Sequence, residues 1–170
     1  MKSKAAVLLI LMCLFGAHNS RAQEYNVHSL FIYSFLRYIE WPQGYNSGNV
    51  IVAVLGDSPI MNNLENMARV KKINGRSIEI RKFDNIETIG KCHILFVPAI
   101  NSGDFEKVLE KTSNGSTLVV TETPGLGKAG SSINFVTKKN GKPGFELNEG
   151  VVHSKQLKIA TELTSLAIRI

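Results

Sequence analysis

Short, continuous runs of apolar residues are the feature that most constrains the fold of this chain. They cover residues 50–55 (VIVAVL), 93–97 (HILFV) and 117–121 (TLVVT). Strands that are apolar on both faces are typical of a parallel sheet that helices cover on both sides. Segments with helical spacing separate these runs, and this alternation predicts an α/β fold.

Further segments extend the prediction to a Rossmann-like three-layer sandwich with a mostly parallel sheet of about five strands. Residues 77–81 (SIEIR) alternate as a strand. Residues 133–137 and 144–147 are predicted to form an antiparallel edge hairpin around Asn140-Gly141. Asn148 is expected to cap a last helical region.

The first helical segment carries more apolar side chains than one buried stripe requires. The residues at helical spacing are Val27, Leu30, Phe31, Phe35, Tyr38 and Ile39, while Ile32, Tyr33 and Leu36 are apolar as well. Such a helix is either sandwiched between layers or in contact with a partner. Trp41-Pro42 is expected to end it, because the residue before a proline disfavours the helical conformation.

Residues 1–22 have the three parts of a secretory signal peptide. Lys2 and Lys4 give a positive start, residues 5–15 form an apolar run, and residues 20–22 (SRA) offer small residues for cleavage. We therefore expect export and cleavage near Ala22, with residues 23–170 forming one domain. An uncleaved anchor is the alternative, although the run is shorter than the roughly 20 residues of a spanning helix. No later segment is apolar and long enough to cross a membrane.

Loss of this leader would lower the formal net charge from +6 to +3, because Lys2, Lys4 and Arg21 would leave with it. The remaining basic residues are scattered, which argues against nucleic-acid binding. Cys92 would be the one cysteine left, so we expect no internal disulfide. Burial as a small hydrophobic side chain is its favoured role, with an intermolecular disulfide or a reactive thiol as the alternatives.

No motif for a cofactor, a metal ion or catalysis has the context that it needs. Residues 125–130 (GLGKAG) match G-x-G-x-x-G, but a strand pattern follows where a dinucleotide site needs a helix. His28, His93 and His153 are far apart, and no C-x-x-C occurs, so no zinc site is predicted. Asp57 and Ser58 follow a strand at the end where ligands bind, although capping of the next helix is favoured. We predict a non-enzyme without a cofactor.

Seven segments together resemble the YfiR family of periplasmic proteins. They are residues 31–42 (FIYSFLRYIEWP), 51–57 (IVAVLGD), 73–78 (INGRSI), 92–96 (CHILF), 130–135 (GSSINF), 145–148 (FELN) and 157–163 (LKIATEL). The resemblance implies a periplasmic, non-catalytic regulator. The best-known relative restrains a membrane-bound diguanylate cyclase through its periplasmic part, which lowers cyclic di-GMP signalling, and members tend to form dimers. Characterised members use cysteine pairs, which Cys92 cannot form here.

Five residues are candidates for binding a partner or a ligand. Tyr33, Leu36, Tyr38 and Trp41 give the end of the first helix extra apolar area, and aromatic anchors often dominate interface energetics. The alternative for Trp41 is that it fills the end of the sheet. Arg76 follows a glycine turn, and its guanidinium suits a carboxylate or phosphate, with a surface ion pair as the alternative.

Three functions follow as hypotheses. The first is a periplasmic inhibitory partner of a membrane signalling protein. The second is a periplasmic module that binds a small ligand and feeds a sensor kinase or a transporter. The third is an exported hydrolase, which would need a cleft with a reactive serine or an acidic pair.

Overall fold

The computed structural model describes residues 23–170. The expected signal peptide, residues 1–22, lies outside the described residues. No helix within residues 23–170 has both the length and the apolar character that a membrane span requires.

An eight-stranded mixed sheet forms the centre of the molecule. Its strands, in chain order, are β2 (Val50–Leu55), β3 (Lys72–Ile73), β4 (Arg76–Phe83), β5 (Ile94–Val97), β6 (Leu118–Thr121), β7 (Ile133–Thr137), β8 (Pro143–Leu147) and β10 (Ile168–Arg169). Their spatial order is β10-β8-β7-β6-β5-β2-β4-β3. The β4, β2, β5, β6 and β7 strands run parallel to one another, with Val52 opposite both Ile80 and Ile94. The predicted mostly parallel α/β sheet is confirmed.

The sheet is wider than the predicted five strands, and the hairpin is not at its edge. The β7–β8 hairpin is antiparallel, as expected, with Phe135 opposite Phe145. However, β10 pairs with the far side of β8, so that Ile168 lies opposite Glu146. At the other edge, β3 pairs antiparallel with β4. Both edge strands have two residues, which is too short for an alternating pattern to reveal them.

The two faces of the sheet support separate cores, as a three-layer sandwich requires. Val52 and Val54 of β2 face one core, while Ala53 and Leu55 face the other. Successive residues of a strand point to opposite faces, so a fully apolar strand supplies both cores at once. All four side chains are at most 3% exposed.

The helices divide between these two faces. The helices on the first face are α1 (residues 23–38), α2 (Ile60–Val70), α4 (Glu149–Ser154) and α5 (Thr161–Thr164), and α3 (Phe105–Lys111) packs on the second. Leu64 and Met67 of α2 and Val108 of α3 are among the buried contacts. As predicted, Asn148 caps α4, because its Oδ1 accepts a hydrogen bond from the Val151 N–H at 3.1 Å.

The first helix ends at residue 38, and not at Trp41-Pro42 as the sequence suggested. Ile39–Glu40 forms strand β1, which pairs antiparallel with β9 (Lys158–Ile159) in a separate two-stranded sheet. The Ala160 N–H also donates to the Tyr38 carbonyl oxygen at 2.8 Å. The backbone after Tyr38 therefore bonds to the C-terminal segment, a non-local pairing that outweighs continuation of the helix.

Candidate functional site

Three of the five sequence-predicted site residues meet at the amino ends of the central strands. Leu36, Trp41 and Arg76 line a cavity of about 510 Å³, together with His93. The first residue of β2, Val50, and the first residue of β4, Arg76, are both in its wall. Parallel strands all begin at the same end of a sheet, and for this reason residues distant in sequence converge here.

His93 is the centre of this cluster and is held in one neutral form. Its Nδ1 accepts a hydrogen bond from the Ile51 N–H at 3.0 Å, so that nitrogen carries no proton. Its Nε2 lies 2.9 Å from the Tyr45 carbonyl oxygen and donates to it. Burial lowers the pKa of His93, although the bond to the Tyr45 carbonyl acts in the opposite direction. His93 is thus a buried histidine whose two ring nitrogens both have partners within the protein.

Arg76 binds the loop that precedes β2. Its Nε donates to the Gly48 carbonyl oxygen at 2.7 Å, and its Nη2 lies 2.9 Å from the Tyr45 carbonyl oxygen. The Nη2 group also lies 3.2 Å from the carbonyl oxygens of Ser47 and Asn49. A planar guanidinium with five N–H groups suits several carbonyl acceptors at once. Arg76 is thus a loop anchor, and not half of a surface ion pair.

Trp41 lines the cavity beside His93. The two rings meet edge to face, with centroids 5.5 Å apart. The indole Nε1 of Trp41 is buried and has no hydrogen-bond partner among residues 23–170. An unpaired buried donor costs about 1–3 kcal/mol, so this N–H lowers the local stability of the cavity wall.

Tyr33 and Tyr38 lie outside the cavity wall and belong to a neighbouring surface of α1. The Arg37 guanidinium lies 5.9 Å from the Tyr33 ring centroid and 5.4 Å from that of Tyr38. The Lys71 ammonium lies 5.6 Å from the Tyr33 centroid. We call Tyr33, Arg37, Tyr38 and Lys71 the aromatic–cationic surface. Leu36 differs from these residues, since it is 3% exposed and belongs to the core as well as to the cavity wall.

Tyr45 is a part of the site that the sequence did not suggest. Its hydroxyl oxygen accepts a hydrogen bond from the Ser116 N–H at 3.1 Å, and its ring meets that of His93 edge to face. The Lys91 ammonium lies 4.5 Å from the Tyr45 ring centroid. These partners are far along the chain, so no local spacing could have identified them. The sequence signal that pointed towards this cluster was His93, which directly precedes a buried strand.

At the carboxyl ends of the strands, polar side chains bond to other groups of the protein. The Asn101 Nδ2 donates to the Leu55 carbonyl oxygen at 2.6 Å, beside Gly56. Asp57 is 93% exposed and pairs with Lys82 at 2.9 Å, and the Ser58 Oγ accepts from the Ile60 N–H at 3.4 Å. Ser58 thus bonds to the first turn of α2, as its predicted capping role requires, whereas Asp57 forms an ion pair and does not cap the helix.

Two other predicted features have structural roles. Residues 125–130 form a turn that leads into β7, since the Ser131 N–H bonds to the Leu126 carbonyl oxygen at 2.9 Å. Cys92 is fully buried, and burial raises the pKa of its thiol to about 12. The expectation that Cys92 acts as a small buried side chain is confirmed. Within the described part of the chain, no three His, Cys, Asp or Glu residues form a group that could hold a metal ion.

Comparisons with known proteins identify a family whose model matches most of the chain. A family model described as YfiR/HmsC-like matches residues 25–168. No curated protein matches the sequence. One similar solved structure is that of an ABC domain in complex with L-Trp from Streptococcus pneumonia, at 12% identity and a TM-score of 0.49. The likeness covers 70% of this chain and 54% of that one, so the chain spans about half the length of that protein.

Proposed function

Since the chain belongs to the YfiR/HmsC-like family, we propose that it is a non-catalytic regulator that acts in the periplasm. It binds the periplasmic part of a membrane signalling protein, a diguanylate cyclase, and restrains that enzyme. The family membership supports a role in cyclic di-GMP signalling. The expected signal peptide supports export, with Gln23 as the first residue of the mature single domain.

The aromatic–cationic surface is the observation that carries this proposal. Tyr33 and Tyr38 are half-buried and Arg37 is exposed, so rings and a cation are presented together on one side of α1. Tyrosine and arginine are enriched among the residues that dominate protein interfaces. A partner that supplies carboxylates and apolar side chains would match this surface.

Binding alone is sufficient for such regulation. A protein that prefers the inactive state of a cyclase shifts that enzyme towards inactivity by its difference in affinity for the two states. The proposal thus needs no chemical step in this chain. A second copy of the chain is part of the proposal, because the family tends to form dimers.

Gene replacement tests the regulatory role. Deletion of the gene is expected to raise cellular cyclic di-GMP, and a double variant, Tyr33→Ala with Tyr38→Ala, is expected to raise it to a similar level. Leu30→Ala is the matched control, since Leu30 is a 60% exposed apolar residue of the same helix outside the aromatic–cationic surface. An unchanged cyclic di-GMP level in the deletion strain would count against the cyclase as partner.

Two measurements test export and the partner separately. N-terminal sequencing of the protein from the periplasmic fraction is expected to begin at Gln23. Affinity capture from detergent-solubilised membranes is expected to recover a membrane protein with the wild type and the Leu30→Ala variant, but not with the double variant. Recovery of the chain in the cytosol with residues 1–22 attached would contradict export.

A further inference from the structure

The cavity at the amino ends of the strands has an apolar floor and a polar rim. Leu36, Ile39, Val50 and Ile73 line it, and each is at most 8% exposed. Its volume of about 510 Å³ is within the range of pockets that hold small organic molecules. An apolar body of a ligand would lose contact with water against this floor.

Hydrogen-bond donors with free capacity surround that floor. Arg76 uses Nε and Nη2 for the loop carbonyls, and the described residues provide no acceptor for its Nη1. Arg37 also lines the cavity and forms no ion pair with a described residue, its contacts there being with the two tyrosine rings. Both guanidinium groups therefore have N–H groups without an acceptor among the described residues.

The charge of the rim determines which acceptor fits. Two guanidinium groups, Arg37 and Arg76, oppose one carboxylate, Glu40, and His93 is neutral. Guanidinium groups bind carboxylates and phosphates through charge-assisted hydrogen bonds, which are about twice as strong as neutral ones. A neutral ligand would leave the excess positive charge without compensation.

We infer that this cavity binds a small organic anion. Its carboxylate or phosphate group is held by Arg37 and by the Arg76 Nη1, and its apolar body rests on Leu36 and Ile73. The inference stands on the chemistry of the cavity and does not depend on the proposed cyclase partner. It gives the protein a second binding site, beside the aromatic–cationic surface.

Trp41 is the one tryptophan of the sequence and therefore provides a direct probe. In a nitrogen–proton correlation spectrum of the labelled protein, a single indole N–H signal reports on the cavity. We would titrate the protein with benzoate, phenyl phosphate or neutral benzamide, each up to about 10 mM, which detects dissociation constants in the millimolar range. We expect a saturable shift of this signal with at least one anion and none with benzamide, and the two anions separate a carboxylate from a phosphate site.

Three charge variants test which groups hold the anion. Arg37→Gln is expected to weaken binding of the responding anion about tenfold, because it removes a charge-assisted hydrogen bond. Glu40→Gln is expected to tighten binding, since it removes the one opposing carboxylate of the rim. Arg69→Gln is the control, as Arg69 is 72% exposed and outside the cavity, and it is expected to leave the affinity unchanged.

Three results would contradict the inference that this cavity binds a small organic anion. If neither anion shifted the indole signal, the cavity would not be a binding site for organic anions. An equal response to benzamide, or an affinity that Arg37→Gln and Glu40→Gln leave unchanged, would show a site that selects for apolar surface and not for charge. Arg37, Glu40 and Arg69 are all exposed, so these substitutions are expected to leave the fold intact, and the rest of the same spectrum confirms this.

Discussion

The ring of His28 lies flat on the ring of Phe135, with centroids 3.9 Å apart and planes within 7° of parallel. His28 is 3% exposed, and its Nδ1 has no hydrogen-bond partner among residues 23–170. The carboxylates of Glu24 and Glu122 lie 3.9 and 3.8 Å from the two ring nitrogens. Burial nevertheless lowers the pKa of His28 to about 4.

This burial predicts a loss of stability in mild acid. The unfolded chain takes up a proton on His28 below about pH 6.5, whereas the folded protein does so only below about pH 4. The free energy of unfolding should therefore fall as the pH decreases from 6.5 to 4, by about 3 kcal/mol from this residue. Urea unfolding across this range measures the effect.

His28→Phe isolates the contribution of the histidine, because it keeps the stacked ring and removes the titrating group. The variant is expected to lose less stability than the wild type between pH 6.5 and 4. Carboxylates elsewhere respond equally in both proteins, so equal pH profiles would contradict the assignment to His28.

Arg76 is expected to contribute to stability through the loop before β2. Arg76→Gln removes the bonds to the carbonyl oxygens of Gly48 and Tyr45 and should lower the free energy of unfolding by about 2–3 kcal/mol. Arg81→Gln is the matched control on the same strand, since Arg81 pairs with Glu79 at the surface. An exposed ion pair is worth about 0–1 kcal/mol, so similar losses in both variants would contradict the anchor role of Arg76.

Gly56 is expected to tolerate no side chain. Its φ is +70°, and an added Cβ would lie 2.2 Å from the Asn101 Nδ2, whose bond to the Leu55 carbonyl fixes it in place. Gly56→Ala should therefore destabilise the protein more than Gly75→Ala, which has a similar φ of +80° but open space around the Cβ. The difference isolates the steric part from the backbone strain of about 1 kcal/mol.

Removal of the Asn101 side chain should recover part of this steric loss. In urea unfolding, the double variant Gly56→Ala with Asn101→Ala is expected to be more stable than the sum of the single changes predicts. Simple additivity would show that the contact between the two positions is not the cause.

Cys92 is expected to be inert to thiol reagents in the folded protein. Its side chain is fully buried, and its pKa of about 12 leaves almost no thiolate at neutral pH. A chromogenic disulfide reagent should react with Cys92 only after denaturant is added, as followed by absorbance. Rapid reaction without denaturant would show that the strand start at Cys92 opens in the native state.

Local patterns predicted much of this fold because they report on burial directly. The apolar β2 and β5 strands, the parallel sheet, the hairpin turn with Gly141 at φ +75° and the Asn148 cap all follow from residues close together in sequence. The two-residue strands β3 and β10 could not be predicted in this way, since each exists only because a neighbouring strand presents free backbone groups. The end of α1 at residue 38 was missed for the same reason.

The candidate site likewise combines residues that the sequence identified with contacts that only the structure reveals. Leu36, Trp41 and Arg76 were identified singly, but the sequence did not suggest that they share one cavity with His93. Nor could it show that Tyr45, 48 positions from His93, accepts a hydrogen bond from it.

Apolar runs and turn residues in the sequence alone determined which of the longer segments are strands and which of their faces are buried, because successive side chains of a strand point to opposite faces and the pattern of burial is therefore local. Only the tertiary structure decided that a tryptophan, an arginine and a histidine meet at the amino ends of the parallel strands. The starts of parallel strands come together there through the pairing of the whole sheet, and that pairing is a contact between distant residues which no local pattern encodes.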